Sequence, residues 1–438
     1  MENKSTILPV VIEKRLTPSI QSVPRSETSG HTSQPSLEAK AVIILEKEPK
    51  KRFFARPWGP RQKVAVGAIG FVWITLIALT IALPIYFTKT YGFAKDTDWY
   101  WQISQPNEDS SYRSEANRPV FALMNFPDPG LIEHNGTWFA YGTNPKKKNA
   151  DTIHVPVATS TNFVNWTLHE GYDALPTLGG WEKKVNHWAP DVIQRVSDDG
   201  KFVMYYSGEV KNWGSFHCVG VAVSNGTDPL GPYIPEDKPL ACPHDLGGAI
   251  DPSPFRDADG TLYVVYKGDG NSIGHGGNCN NGKKPIVSVP ILLQELKSDG
   301  VTTVGKPKKI LDIDDTDGPL VEAPDLMRTD DGVYYLFFSS HCYTSLGYNV
   351  KYAHSTSIEG PYKRANRPLL QTADWDLLGP GGATVSADGK KIVFHANCGS
   401  HRCMYAGAID IKADNTVVMS SLLGSKSLTS TNSTVISR

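Results

Sequence analysis

DPSPFRDADGTLYVVYKG, Asp251 to Gly268, carries the plan on which most of this chain is built. An acidic residue and a proline open it, a short run leads to an Asp-Gly pair, and an aromatic and β-branched run closes it. Asp-Gly between two apolar runs is a strong hairpin signal, because those two residues accept the positive φ that a tight strand-to-strand turn requires. The plan recurs in DPGLIEHNGTWFAYGT from Asp128, WAPDVIQRVSDDGKFVMYYSG from Trp188, EAPDLMRTDDGVYYLFFSS from Glu322 and GPGGATVSADGKKIVFHAN from Gly379. Further strand-like runs follow, such as HVPVATS, CVGVAVS, IVSVPILL, VKYAHS and MYAGAI, and two units close on the same turn, Gly231-Pro232-Tyr233 and Gly360-Pro361-Tyr362. The units repeat at intervals of roughly 60 residues, which suits one four-stranded sheet with its loops, and radial repetition of such sheets is a β-propeller. Five units predict an all-β, five-bladed β-propeller over residues 117–419. A β-sandwich would not require this recurrence. WD and kelch propellers have shorter periods of about 40–50 residues and signatures that do not recur here.

The flanks read differently. Residues 1–63 are rich in Ser, Thr, Pro, Glu and Lys and are expected to form a disordered cytosolic tail. Val64 to Phe87, VAVGAIGFVWITLIALTIALPIYF, contains no charged residue. As a helix it would extend roughly 36 Å, enough to cross a bilayer with some tilt. It is too long and too deep in the chain for a cleaved signal peptide. Lys50, Lys51, Arg52, Arg56, Arg61 and Lys63 precede it and only Lys89 closely follows. The positive-inside rule therefore predicts a single-pass type II membrane protein, a signal anchor with its N-terminus in the cytosol and its propeller lumenal or extracellular. Residues 88–116 read as a stalk and 420–438 as a Ser/Thr-rich tail. Sequons at Asn135, Asn165, Asn225 and Asn432 agree with that orientation. So do the cysteines: Cys218, Cys242, Cys279, Cys342, Cys398 and Cys403 all lie beyond the apolar run. An even number on one side of a membrane points to disulfides. Of the possible pairs, Cys398–Cys403 is the one expected, since those residues flank a short Gly-Ser-His-Arg turn. Lys+Arg 44 against Asp+Glu 45 leaves a net charge of −1, and no basic domain suggests a nucleic-acid partner.

Aligned on their openings, the units place Asp128, Trp188, Asp251 and Glu322 at equivalent positions, and equivalent positions on innermost strands converge on a propeller's axis. Three carboxylates and an indole would then share one funnel. Burial and like charge both raise a carboxylate's pKa, so such a cluster opposes full ionisation. It makes chemical sense where one acid must stay protonated while another stays charged, and glycoside hydrolysis has that need. Asp-Pro is also a common turn starter, but three acids at aligned positions are hard to explain as turns. Asp191 and Asp325 both follow Ala-Pro, which suggests a shared turn role outside the catalytic set. The Gly-rich loop from Gly268 to Gly277, with His275, reads as a rim of the funnel.

On these motifs the chain from about 118 to 415 resembles glycoside hydrolase family 43, which includes arabinanases, α-L-arabinofuranosidases and β-xylosidases. The matching elements are Asp128-Pro-Gly, Trp188-Ala-Pro-Asp191, Ile250-Asp251-Pro-Ser-Pro-Phe255 and Val321-Glu322-Ala-Pro324. The resemblance implies an inverting mechanism with Asp128 as general base, Glu322 as general acid and Asp251 orienting the acid and tuning its pKa. Trp188 is assigned to sugar stacking. No redox or organic cofactor is implied, and the partner is an arabinose- or xylose-containing polysaccharide or oligosaccharide. Many members hold a calcium or other ion near the axis through a histidine in a fifth-blade Gly-His-Asn stretch. Here Gly381-Gly382-Ala383-Thr384 stands in its place, and His395 in Phe-His-Ala is the nearest substitute, so no metal ligand is assigned. A non-catalytic carbohydrate-binding propeller on a membrane stalk is the alternative. It would keep Trp188 and the funnel and would tolerate loss of an acid.

Overall fold

A computed structural model of the chain describes residues 113–143 and 153–422. The expected cytosolic tail, membrane helix, most of the stalk and nearly all of the C-terminal tail lie outside the described residues.

The first strand, β1 (Val120–Leu123), belongs to the last sheet. The first blade is β2 (Gly130–His134), β3 (Thr137–Tyr141), β4 (Val157–Ser160) and β5 (Thr167–Leu168). The second is β6 (Trp188–Gln194), β7 (Phe202–Glu209), β8 (His217–Ser224) and β9 (Tyr233–Pro235). The third is β10 (Ala249–Arg256), β11 (Leu262–Gly268), β12 (Ile291–Leu296) and β13 (Thr303–Leu311), and the fourth is β14 (Val321–Arg328), β15 (Tyr334–Ser340), β16 (Asn349–Ser355) and β17 (Lys363–Arg364). Each is an antiparallel meander in which sequence order is spatial order. The fifth blade takes β18 (Gly381–Val385), β19 (Lys391–Cys398) and β20 (His401–Ile411) from the last unit. Its outer edge is shared: β1 pairs with β20 at Met404–Ala406, and β21 (Val417–Ser420) pairs with β20 at Ala408–Ile411. The two ends of the domain thus close the ring on one strand.

The innermost strands β2, β6, β10, β14 and β18 each contact the next, and β18 contacts β2. Five apolar clusters fill the five blade interfaces. Tyr141, Phe202 and Tyr206 lie between the first and second blades, and Tyr205, Val219 and Tyr266 between the second and third. Val265, Leu336 and Phe338 fill the next interface, and Phe337, Tyr352 and Phe394 the one after. Phe126, Ala140 and Met404 close the circle between the fifth and first. This is why the repeat is legible: each unit must present an aromatic or branched second strand to both neighbours, and each large side chain so buried contributes about 1.5–3 kcal/mol.

Because the meander alternates direction, the first-to-second and third-to-fourth strand connections lie at one end of the ring. The second-to-third connections and the blade crossovers lie at the other, with the starts of the innermost strands. Asn135, Asn165 and Asn225 are all exposed. They sit in connections of the first kind, between β2 and β3, between β4 and β5, and between β8 and β9. The described sequons therefore occupy the end away from the funnel.

All six cysteines are paired, as Cys218–Cys242, Cys279–Cys342 and Cys398–Cys403. The expected local bridge is present. The second ties the β11–β12 loop to the β15–β16 loop at the funnel end.

Candidate active site

Strand register decides which residues reach the funnel. In four blades a pair on the innermost strand, Trp188–Ser207, Ile250–Lys267, Glu322–Ser339 or Gly381–His395, is followed by a two-residue bulge. Pairing resumes at Asp191, Ser253, Asp325 and Thr384. The first bulged residue has positive φ each time: Ala189 44°, Asp251 56°, Ala323 47° and Gly382 58°. In the first blade Asp128, at 51°, is the counterpart. Equivalent positions are thus Asp128, Ala189, Asp251, Ala323 and Gly382. Trp188 and Glu322 stand one residue earlier, which corrects the alignment read from the sequence. In four of the five blades a proline follows this position, Pro129, Pro190, Pro252 and Pro324, so the proline and not the acid marks it. A left-handed conformation costs a non-glycine residue about 1–2 kcal/mol, and four such residues gather around the axis.

The bulged N–H groups are caught by the preceding blade. That of Asp128 lies 3.2 Å from His395 Nδ1, and that of Ala189 donates to Thr143 Oγ1 at 2.9 Å. The N–H of Asp251 donates to Ser207 Oγ at 2.9 Å, and that of Gly382 to Ser339 Oγ at 2.9 Å. In the fourth blade the acceptor is Asp251 Oδ2, 3.0 Å from the N–H of Ala323. Asp251 therefore fixes the backbone immediately after Glu322.

Asp128 is the most firmly ionised of the three acids. Burial works against its charge. The Arg402 guanidinium at 2.8 Å from Oδ1 and the Thr143 hydroxyl at 2.6 Å from Oδ2 outweigh burial and hold the carboxyl well below the usual range. Burial also lowers the pKa of His395, so its imidazole is neutral. Glu322 behaves oppositely. Burial first, and then the charge of Asp128, push its pKa up, against the opposing pull of Lys267 and a hydrogen bond from Tyr348. Asp251 is pushed up to about 7, mainly by burial, with Lys267 opposing and Glu322 and Asp128 adding to the rise. One funnel thus holds one carboxyl pushed down and two pushed up, the divergence that acid/base chemistry needs.

Trp188 is half-buried, and its indole stacks on His217 at 3.7 Å between ring centres. Burial lowers the His217 pKa to about 4, so the ring beneath the indole is neutral at physiological pH. Asp191 and Asp325 lie one layer deeper and are not turn residues. Each follows a bulge on an innermost strand. Asp191 Oδ1 accepts from Leu131 N–H at 3.1 Å, Asp325 Oδ2 accepts from Val385 N–H at 2.7 Å, and Ser253 Oγ bridges the two acids at 2.8 Å each. His275 is exposed on the rim loop.

The family model for glycosyl hydrolases family 43 matches residues 116–417. The chain belongs to this family. Among curated relatives it is 28% identical over 296 residues to an extracellular endo-α-(1→5)-L-arabinanase 2 of Bacillus subtilis (strain 168), covering 61% of this chain and 55% of the relative. It is 26% identical over 226 residues to a xylosidase/arabinosidase of Bacteroides ovatus, covering 48% and 64%. The chain thus spans about half to two thirds of the length of these relatives. A crystal structure of a thermostable family-43 glycoside hydrolase superposes with a TM-score of 0.57 at 26% identity, covering 69% of this chain and 94% of that one. An endo-1,4-β-xylanase from Bacteroides thetaiotaomicron superposes with a TM-score of 0.54 at 26% identity, covering 68% and 95%.

Family 43 membership raises the question of an axial ion, and the residues here do not fit one. The space on the axis, bordered by Asp128, Asp251, Ser253 and Gly382, is about 20 Å³, room for one water-sized group, so the chemistry of its lining decides. The fifth-blade histidine, His395, is committed to Asp128. The Arg402 guanidinium already supplies the positive charge beside that acid. Among the described residues no group of three or more His, Cys, Asp or Glu is arranged to hold a metal. The Gly381-Gly382 pair that replaces the histidine stretch has its own steric cause. A Cβ on Gly381 would meet the Tyr348 ring at 2.0 Å, and one on Gly382 would meet His395 Nδ1 at 2.6 Å and Asp128 Oδ1 at 2.9 Å.

Sequence reasoning missed Arg402, Tyr348 and Lys267. Arg402 had a signal: it is the second residue of β20, in the hairpin clamped by Cys398–Cys403 at the funnel end. Tyr348 and Lys267 had none, since nothing in a single sequence says which aromatic or basic residue faces the axis.

Proposed function

We propose that this family 43 chain is an inverting glycosidase acting on arabinose- or xylose-containing polysaccharides. The observation that carries the reading is the divergence of two carboxyls within one funnel, Asp128 held ionised by Arg402 and Glu322 pushed towards its protonated form by burial. Asp128 takes a proton from water as it attacks the anomeric carbon, and Glu322 gives its proton to the departing oxygen. Asp251, bonded to the backbone beside Glu322, orients that acid. Trp188, backed by His217, offers its indole face to a sugar ring. The names of the relatives, arabinanase and xylosidase/arabinosidase, support this substrate class.

The propeller is further assigned to the non-cytosolic side of a membrane, held by the apolar run 64–87 as a type II anchor. This rests on the sequence and on the three disulfides, which suit an oxidising compartment. Recovery of the intact protein in the soluble fraction after cell breakage would refute the anchor.

The activity test uses the full-length protein on aryl α-L-arabinofuranosides, aryl β-xylosides and linear arabinan. Hydrolysis of at least one is expected, with a fall of at least about a thousandfold in kcat for Glu322→Gln and for Asp128→Asn. Proton NMR of the first product should show the inverted anomer. Sugar binding without turnover, unchanged in both variants, would favour the carbohydrate-binding alternative.

A further inference from the structure

On the second strand of each blade, or just past its end in the first blade, one position faces the bulge of the innermost strand. Thr143, Ser207, Ser339 and His395 occupy it in four blades, and each meets the N–H of the following bulge. In the third blade the position belongs to Lys267, paired with Ile250 across the sheet. A lysine cannot accept from an N–H, so Asp251 takes over the contact to Ala323. The latch has been given up at one blade, and an ammonium stands in its place.

That ammonium is fully buried. Its Nζ lies 3.2 Å from Asn271 Oδ1 and 3.5 Å from Glu322 Oε1. The charged groups around it are Asp251 on β10, Asp269 at the end of β11 and Glu322 on β14. Beyond Glu322 stand Asp128 and Tyr348. A buried ammonium is retained only where charge compensates it, and three carboxyls facing one lysine cannot all ionise.

We propose that Lys267 is a positioning residue of the hydrolytic site, whose ammonium holds Glu322 in place and sets how many protons Asp251, Asp269 and Glu322 share. The proposal rests on the glycosidase reading. With the ammonium present, the cluster carries two carboxylates and one protonated carboxyl, and Glu322 can release its proton to a leaving oxygen and regain it within the neutral range. Without it, the cluster binds a further proton. Asp251 is then neutralised, and Glu322 holds its proton to higher pH.

The test compares full-length wild type with Lys267→Met and Lys267→Arg, with Lys267→Gln where the methionine variant does not fold. The pH profile of kcat/KM on the substrate found for the wild type is the first readout. Lys267→Met should lower kcat more than it changes KM and should move the alkaline limb up by about one unit or more. Lys267→Arg should restore the position of the limb. The second readout needs no turnover: the infrared band of protonated carboxyls at neutral pH. It should grow by about one carboxyl in Lys267→Met, and by less in Lys267→Arg. Lack of wild-type turnover with the expected infrared change would remove the glycosidase reading and leave the charge assignment standing. A Lys267→Met profile that keeps its limbs, with an unchanged carboxyl band, would overturn the proposal.

Discussion

Arg402 decides the state of Asp128, because burial alone would hold that carboxyl protonated and the guanidinium at 2.8 Å reverses the outcome. Replacing Arg402 with Met should raise the Asp128 pKa by one to three units, about the effect of an opposite charge at this range. A general base must be ionised to work, so the acid limb of kcat/KM should move up with it while the alkaline limb stays. A pH series on both proteins checks this. Ser253 makes a second argument at the same scale. Its single hydroxyl proton can serve only one of the two carboxyls 2.8 Å away, so the other must be protonated to complete the bridge. Asp325, pushed up to about 8 by burial and then by the charge of Asp191, fits that role. The folded state therefore binds a proton that the unfolded state releases at its ordinary value of 3.8. Stability must fall as pH rises from that range towards 8. Asp325→Asn keeps an acceptor for Val385 and gains a donor for Ser253. Its Tm should fall less than that of the wild type between pH 5 and pH 8, within the span of about 4 to 8 over which the linkage acts.

The recurrent element is the innermost strand with its bulge, and its N–H latch is what the sequence least revealed. Ser339→Ala would leave the buried N–H of Gly382 without its acceptor, a loss of about 1–3 kcal/mol. The urea midpoint should drop accordingly, with little change in slope. The hairpins were legible because Asn-Gly and Asp-Gly turns and aromatic strands are local signals, and the local disulfide Cys398–Cys403 for the same reason. Asp128, Asp251 and Glu322 could be gathered into one site because a propeller converts sequence equivalence into spatial convergence. The one-residue offset of Trp188 and Glu322 was hidden. A period-two strand read through a two-residue bulge gives no hint of which residue takes positive φ, although in four of the five blades a proline follows it. Tyr348 and Lys267 were hidden more deeply, since their roles depend on packing between blades that lie far apart in sequence.

At the scale of the whole molecule, closure of the ring is the feature that no repeat announces. The fifth unit supplies only three inner strands, and β1 and β21 complete its edge end to end along β20. Residues before β1 lie in contact with the blade as well. The Arg113 guanidinium lies 2.5 Å from Asp374 Oδ1, Arg118 Nη1 donates to the Trp375 carbonyl at 2.7 Å, and the Trp375 indole donates to the Ser114 carbonyl at 3.2 Å. The cluster containing Phe126, Leu131 and Met404 has Val120 and Leu123 packed against it, so the N-terminal strand covers the seam between the fifth and first blades. Losing it would expose both that seam and the edge of β20, and an open apolar edge invites pairing with other chains. Two fragments differing only in this strand separate closure from repeat number. A chain of residues 113–422 should unfold in one cooperative transition and remain monomeric. A chain of residues 125–422 keeps all five Gly-turn units but lacks β1, and should melt lower, with a broader transition and a tendency to associate by light scattering. Equal Tm and equal cooperativity in the two would show that β21 alone closes the ring.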